Sequence, residues 1–162
     1  MTVVWDTTRL SRVRPGGELE RTLLERARDD DHIAVTAPTI MEVTRGLASR
    51  TGDGDERWRA ALRWFAGMAA SGLFTTLPLD RQSALLAGRL RALHPTPPAT
   101  ARRRSGTKPE QRAGWLLDIQ IAACAWRHGC DVVTDNVRDF EALRDAIATL
   151  HPTQSPLVVR AP

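Results

Sequence analysis

The sequence predicts an α/β fold built on a parallel sheet, and three observations carry that expectation. Short β-branched runs alternate with longer segments of helical period along the chain. The stretch Trp115–Phe140, WLLDIQIAACAWRHGCDVVTDNVRDF, reads as helix, tight turn, buried strand, polar turn and helix, which is the repeating unit of such a sheet. Polar residues follow the strands at once, where open parallel sheets place their ligand crevice. The length of 162 residues fits one domain over 1–162, with enough chain to bury a core.

Taken in order, Val3–Trp5 is a short apolar strand, followed directly by Asp6, Thr7 and Thr8. Residues 18–29 form a polar helix with Leu19, Leu23, Leu24 and Ala27 on one face. Ile33–Val35 is a second buried strand ending at Thr36, and Pro38 begins the next helix, with Glu42 in its first turns. Trp58, Ala61, Leu62, Phe65 and Met68 recur at helical spacing, so 55–70 is amphipathic and its aromatics belong to a core or interface. Gly72 ends that helix, and Leu73–Leu77 is a third strand. Asp80 caps a helix that buries Leu85, Leu86 and Leu90. A basic Pro/Arg-rich surface loop covers about 94–112. Asp118 opens the following helix, whose small residues Ala122, Ala123 and Ala125 allow close approach to a sheet, and Gly129 closes it. Asp131–Thr134 is the fourth strand, 138–149 the last helix and Leu157–Val159 a terminal strand.

Composition narrows the function. A hydrophobic content of 42% and a charged content of 26% are those of a soluble globular protein. No apolar run approaches the roughly 20 residues of a membrane span, and the N-terminus lacks a secretory pattern, so a cytoplasmic protein is expected. Cys124 and Cys130 read as reduced thiols; with His128 they fall short of the four ligands of a structural zinc site. Positive charge is concentrated in residues 101–112, whose excess of four cations equals the formal net charge of the whole chain, +4. Arg102, Arg103 and Arg104 are therefore candidates for contact with nucleic-acid phosphates.

The acids share a position in this plan. Asp6 follows the first strand, and Asp135 and Asn136 follow the fourth. Glu42 and Asp118 lie in helices leaving the second strand and entering the fourth. Parallel strands bring all of them to one edge of the sheet. Carboxylates crowded together repel unless neutralised, and oxygen ligands suit Mg²⁺ or Mn²⁺. Such a site activates water and stabilises a phosphoryl transition state. Each acid also has a plainer role. Glu42 stands three residues after Thr39, as in a capping box. Asp118 suits a helix dipole, and Asp135, Asn136 and Asp139 suit a turn and a helix start. Asp6 is harder to dismiss, because a charge directly after a buried strand needs a partner.

At these residues the chain resembles the PIN-domain ribonucleases. VVWDTT, TAPTIMEVTRG, LLDIQIAACAWRHG and VVTDNVRDF look like their four motifs, and the match is closest to the VapC toxins of bacterial toxin–antitoxin pairs. The resemblance implies a three-layer fold around a five-stranded parallel sheet of order 3-2-1-4-5. It implies an Mg²⁺- or Mn²⁺-dependent endoribonuclease, usually dimeric, silenced by a VapB-like antitoxin. Residue by residue, Asp6, Glu42 and Asp118 match the first three acids, with Asp6 and Asp118 as primary metal ligands and Glu42 assisting. The fourth position departs from the acidic pattern: it is Asn136, so Asp139 or Asp135 supplies the charge, and Thr134 buttresses the site. The long basic loop before Asp118 is a second departure. A phosphatase of the haloacid-dehalogenase type wants a second Asp where Thr8 stands, a receiver domain wants a lysine after Lys108, and no P-loop or dinucleotide fingerprint is present. The remaining alternative is a PIN-like module that holds RNA or a partner without cutting.

Overall fold

The structure, a computed structural model, describes residues 2–51, 55–98 and 107–162. Its strands are β1 (Val3–Trp5), β2 (Ile33–Thr36), β3 (Phe74–Leu77), β4 (Asp131–Val133) and β5 (Val159–Arg160). All pairings are parallel and the order is β3-β2-β1-β4-β5, as expected. The helices are α1 (Thr7–Leu10), α2 (Glu18–Arg28), α3 (Ala37–Ala48), α4 (Glu56–Ala70), α5 (Arg81–Leu93), α6 (Lys108–Arg127) and α7 (Val137–Leu150).

Side-chain alternation along the strands makes three layers. Val4, Ala34 and Val132 face one side, where they join Leu90, Ile119 and Phe140 of α5, α6 and α7. Trp5, Ile33 and Val35 face the other, where they meet Leu10, Leu23 and Phe65 of α1, α2 and α4. A strand buried on both faces has no polar face, which is why these runs read as continuously apolar.

Local chemistry sets the helix boundaries. Thr36, Asp55, Asp80 and Thr107 each accept a backbone N–H at a helix start. At the end of α6, Gly129 adopts φ +67°, the Gly129 N–H bonds Trp126 O, and the Cys130 N–H bonds Ala125 O, which closes the last turn.

Four details differ from the sequence reading. Helix α6 begins at Lys108, not at Asp118, because Thr107 and Glu110 form a reciprocal capping box with Pro109 in the first turn. Residues 108–112 of the expected 94–112 loop are thus helical, and its residues 99–106 lie outside the described residues. A short helix, α1, follows Asp6, which N-caps it through Arg9 N. Leu85 is exposed; Ser83, Leu86, Ala87 and Leu90 form the inner face of α5. The last strand starts two residues late, with Leu157 buried ahead of it.

Candidate active site at the sheet switch point

Between β1 and β4 the strand order reverses direction, and Asp6 stands at the carboxyl end of β1 on that line. Its N–H extends the ladder to Val133 O at 3.3 Å. The side chain is buried, 1% exposed, with no cation paired to it among the described residues. Its partners are neutral. Oδ1 accepts from Thr8 Oγ1 at 2.7 Å and from Arg9 N at 3.0 Å, and Oδ2 accepts from Thr134 Oγ1 at 2.6 Å. Burial raises the Asp6 pKa above its ordinary value, and the hydrogen bonds from Thr134, Thr8 and Arg9 only partly oppose it.

Glu42 is reached from the residue after Asp6. Thr7 Oγ1 donates to Glu42 Oε2 at 2.6 Å, across 35 positions of sequence. The capping role open to Glu42 is taken by others: Thr36 caps α3 by accepting Thr39 N at 3.2 Å, and the two hydroxyls share a bond of 2.9 Å. Glu42 lies further along α3, in its second turn, with its carboxylate turned to α1.

Asn136 ties the remaining acids together. Its Nδ2 donates to Asp139 Oδ2 at 2.8 Å and to Asp118 Oδ2 at 3.3 Å. Its own N–H bonds Thr134 Oγ1 at 2.9 Å, which joins this group to Asp6. Asn136 is the N-cap of α7 and makes no side-chain cap bond; its Nδ2 is directed to the acids. Asp118 sits midway along α6, so a role at the helix dipole is removed. Asp139 is fully buried. Asp135 turns the other way and pairs with Arg12 at 2.9 Å. Asn136 and Asp139 therefore stand with Asp118, and Asp135 stands apart.

The sequence reading missed Thr7, Thr8 and Arg12. The hydroxyls immediately after Asp6 were a usable signal; their partners, distant in sequence, were not. Arg102, Arg103 and Arg104 lie outside the described residues. Among the described residues no three His, Cys, Asp or Glu side chains already form a metal cage. Neutral hydroxyls and an amide link the acids instead. By chemistry the donor set still fits a hard cation, since its acids offer carboxylate oxygens.

An open parallel α/β sheet with linked acids at its switch point defines a class of ligand-binding fold rather than one activity. The sequence model of the PIN domain family matches residues 3–146, and the chain belongs to that family. Solved structures share the fold. VapBC2 of Rickettsia felis bound to a promoter DNA fragment matches at TM-score 0.60 and 14% identity, over 99% of this chain and 98% of that one. DNA-bound VapBC of Salmonella typhimurium matches at 0.58 and 22%, over 99% and 98%. FitAcB of Neisseria gonorrhoeae matches at 0.57 and 19%, over 97% and 95%. No curated protein matches the chain.

Proposed function

We propose that the chain is an Mg²⁺- or Mn²⁺-dependent endoribonuclease, the toxin of a VapBC-type pair. The observation that carries this reading is Asp6: a buried carboxylate at the switch point, held by Thr8, Thr134 and Arg9 N with no cation paired to it among the described residues. Such a group costs stability and is explained by a ligand that wants the charge. Asp6 and Asp118 would hold the metal, with Glu42 holding it or orienting water, and Asn136 and Asp139 completing the site. Bound there, the ion would supply charge neutralisation at the phosphate and acidify its water. The chain's own contribution is positional. Thr134 aims Asp6, Thr7 aims Glu42, and the Asn136 amide keeps Asp118 and Asp139 side by side despite their like charge.

The fold shared with VapBC complexes supports a VapB-like antitoxin as partner; a homodimer acting in the cytoplasm is part of the same proposal. Among the described residues no helix is long and apolar enough to cross a membrane. One observation favours a second reading, a PIN-like module that binds RNA without cutting: the acids are linked by neutral donors and are not gathered as a cage. Incubation with cellular RNA separates the two. Discrete products with Mn²⁺ or Mg²⁺, lost on adding EDTA, are expected of the nuclease. Bound but intact RNA under the same conditions would leave the binding module.

A further inference from the structure

The turn after α1 carries two arginines that are used differently. Arg14 folds back on its own turn, where Nη1 donates to Ser11 O at 2.5 Å and Val13 O at 2.8 Å. Arg12 leaves the turn and places Nη1 2.9 Å from Asp135 Oδ2. Both ends of that contact are anchored. The Arg12 N–H bonds Arg9 O and the Val13 N–H bonds Leu10 O, each at 3.1 Å, and the Val13 side chain is buried in the core. The Asp135 N–H bonds Thr8 Oγ1 at 3.3 Å. Asp135 also lies between Thr134, which donates to Asp6, and Asn136, which donates to Asp118 and Asp139.

The Arg12 guanidinium is thereby fixed at the rim of the acid site. Its side chain is 57% exposed. A guanidinium has five N–H donors, so the contact with Asp135 leaves others facing solvent. An exposed pair of this kind adds little to stability, which leaves its placement unexplained by folding. The neighbouring acids explain it. Asp6, Glu42, Asp118 and Asp139 repel a polyanion, and an incoming phosphate needs a cation close to them. A guanidinium offers a phosphate charge and two parallel N–H bonds.

We propose that Arg12 binds a backbone phosphate of single-stranded RNA at the rim of the site, with Asp135 holding its guanidinium in place. This rests on the ribonuclease reading. RNA is favoured over an acidic protein segment because the guanidinium is tethered to the very loop that carries Thr134 and Asn136, beside the point where a phosphate must arrive.

The test measures binding of a short end-labelled single-stranded RNA across a salt series, in an Asp118→Asn background so that the RNA stays intact. Arg12→Ala should weaken binding and flatten the log–log salt slope by about 0.7, the value for one neutralised phosphate. Arg12→Lys should restore the slope but not the full affinity, since it keeps the charge and loses the fork. Asp135→Ala should leave the slope unchanged, because the phosphate contact persists, and should weaken binding, by less than Arg12→Ala does, because the guanidinium is no longer held. If Arg12 only braces Asp135, both alanine variants melt earlier together and neither changes the slope. An unchanged slope in Arg12→Ala overturns the proposal; a concurrent loss of affinity for an acidic antitoxin segment would reassign the residue to that partner. Failure of the ribonuclease reading looks different: the unsubstituted chain would leave RNA uncut with Mn²⁺, whatever the slopes.

Discussion

Asp6 and Asp131 are both buried beside the β1–β4 pair, 1% and 4% exposed, at opposite ends of those strands. Their surroundings differ in one respect. Asp131 Oδ2 takes two bonds from Arg160, from Nε and Nη2, each 2.7 Å. Asp6 takes its bonds from three neutral donors and, among the described residues, none from a cation. A carboxylate matched to a guanidinium is satisfied and pins β5 to β4. A carboxylate given only hydroxyls and a peptide N–H keeps an uncompensated charge in a raised-pKa setting. Burial alone does not mark a functional acid; the sign of its partners does.

The comparison breaks first on activity. Asp6→Asn and Asp118→Asn are expected to lower RNA cleavage by more than about a hundredfold, the upper range for losing even an outer partner of a metal site. Both should remain folded by circular dichroism, since volume is kept. Asp131→Asn should cleave at the rate of the unsubstituted chain. Equal loss in all three would mean that the acids at both ends serve the fold.

Stability gives the reverse pattern. Arg160→Ala strands a buried acceptor, at a cost of about 1–3 kcal/mol in urea unfolding. The low end is expected, because Arg160 is 51% exposed and solvent reaches the gap. Its cleavage rate in the folded range should not change. A larger loss of activity than of stability would connect β5 to the site.

How legible this was depended on range. The parallel sheet and the placing of Asp6, Glu42, Asp118 and Asn136 at one edge of it follow from short apolar runs and the polar residues beside them, signals contained within a few residues, whereas the strand order follows only from the resemblance to the PIN family. Thr107–Glu110 was equally local, yet the Arg- and Pro-rich company of the capping box read as loop. Leu85 was placed inside because a helical period fixes spacing but not which face meets the sheet. The Thr7–Glu42 and Arg12–Asp135 contacts span 35 and 123 positions, and nothing in a single sequence couples such pairs. Asn136 was read as a missing charge; its amide proves to be the donor that two acids share.

The difference between the two aspartates also has a pH signature. Asp6 is raised in the folded state above 3.8. Between that unfolded value and the folded pKa, the folded chain binds more protons than the unfolded one, so stability falls as pH rises through the window. At neutral pH the ionised Asp6 is therefore a burden, and Asp6→Asn should unfold at equal or higher urea than the unsubstituted chain. The gap should shrink as pH is lowered toward the unfolded value. Added Mn²⁺ should stabilise the unsubstituted chain and leave Asp6→Asn unmoved. A variant less stable than its parent at neutral pH, with or without Mn²⁺, would place Asp6 with Asp131 as a structural acid.

The smallest effect is expected at Thr7, where the comparison reduces to a single hydroxyl. Thr7 Oγ1 fixes Glu42 Oε2 at 2.6 Å, doing for Glu42 with a neutral donor what Arg160 does for Asp131 with a charged one. Thr7→Val keeps the shape and removes the donor. The half-buried Glu42 stays solvated, so little stability is lost. The carboxylate is no longer aimed, and cleavage should fall about tenfold, the low end for an outer partner of a metal site. Thr7→Ser returns the hydroxyl and should recover most of that loss. If Thr7→Ser is impaired and Thr7→Val is not, the methyl group matters and the hydroxyl does not. If neither is impaired, Glu42 needs no aiming, and its place among the working acids goes with it.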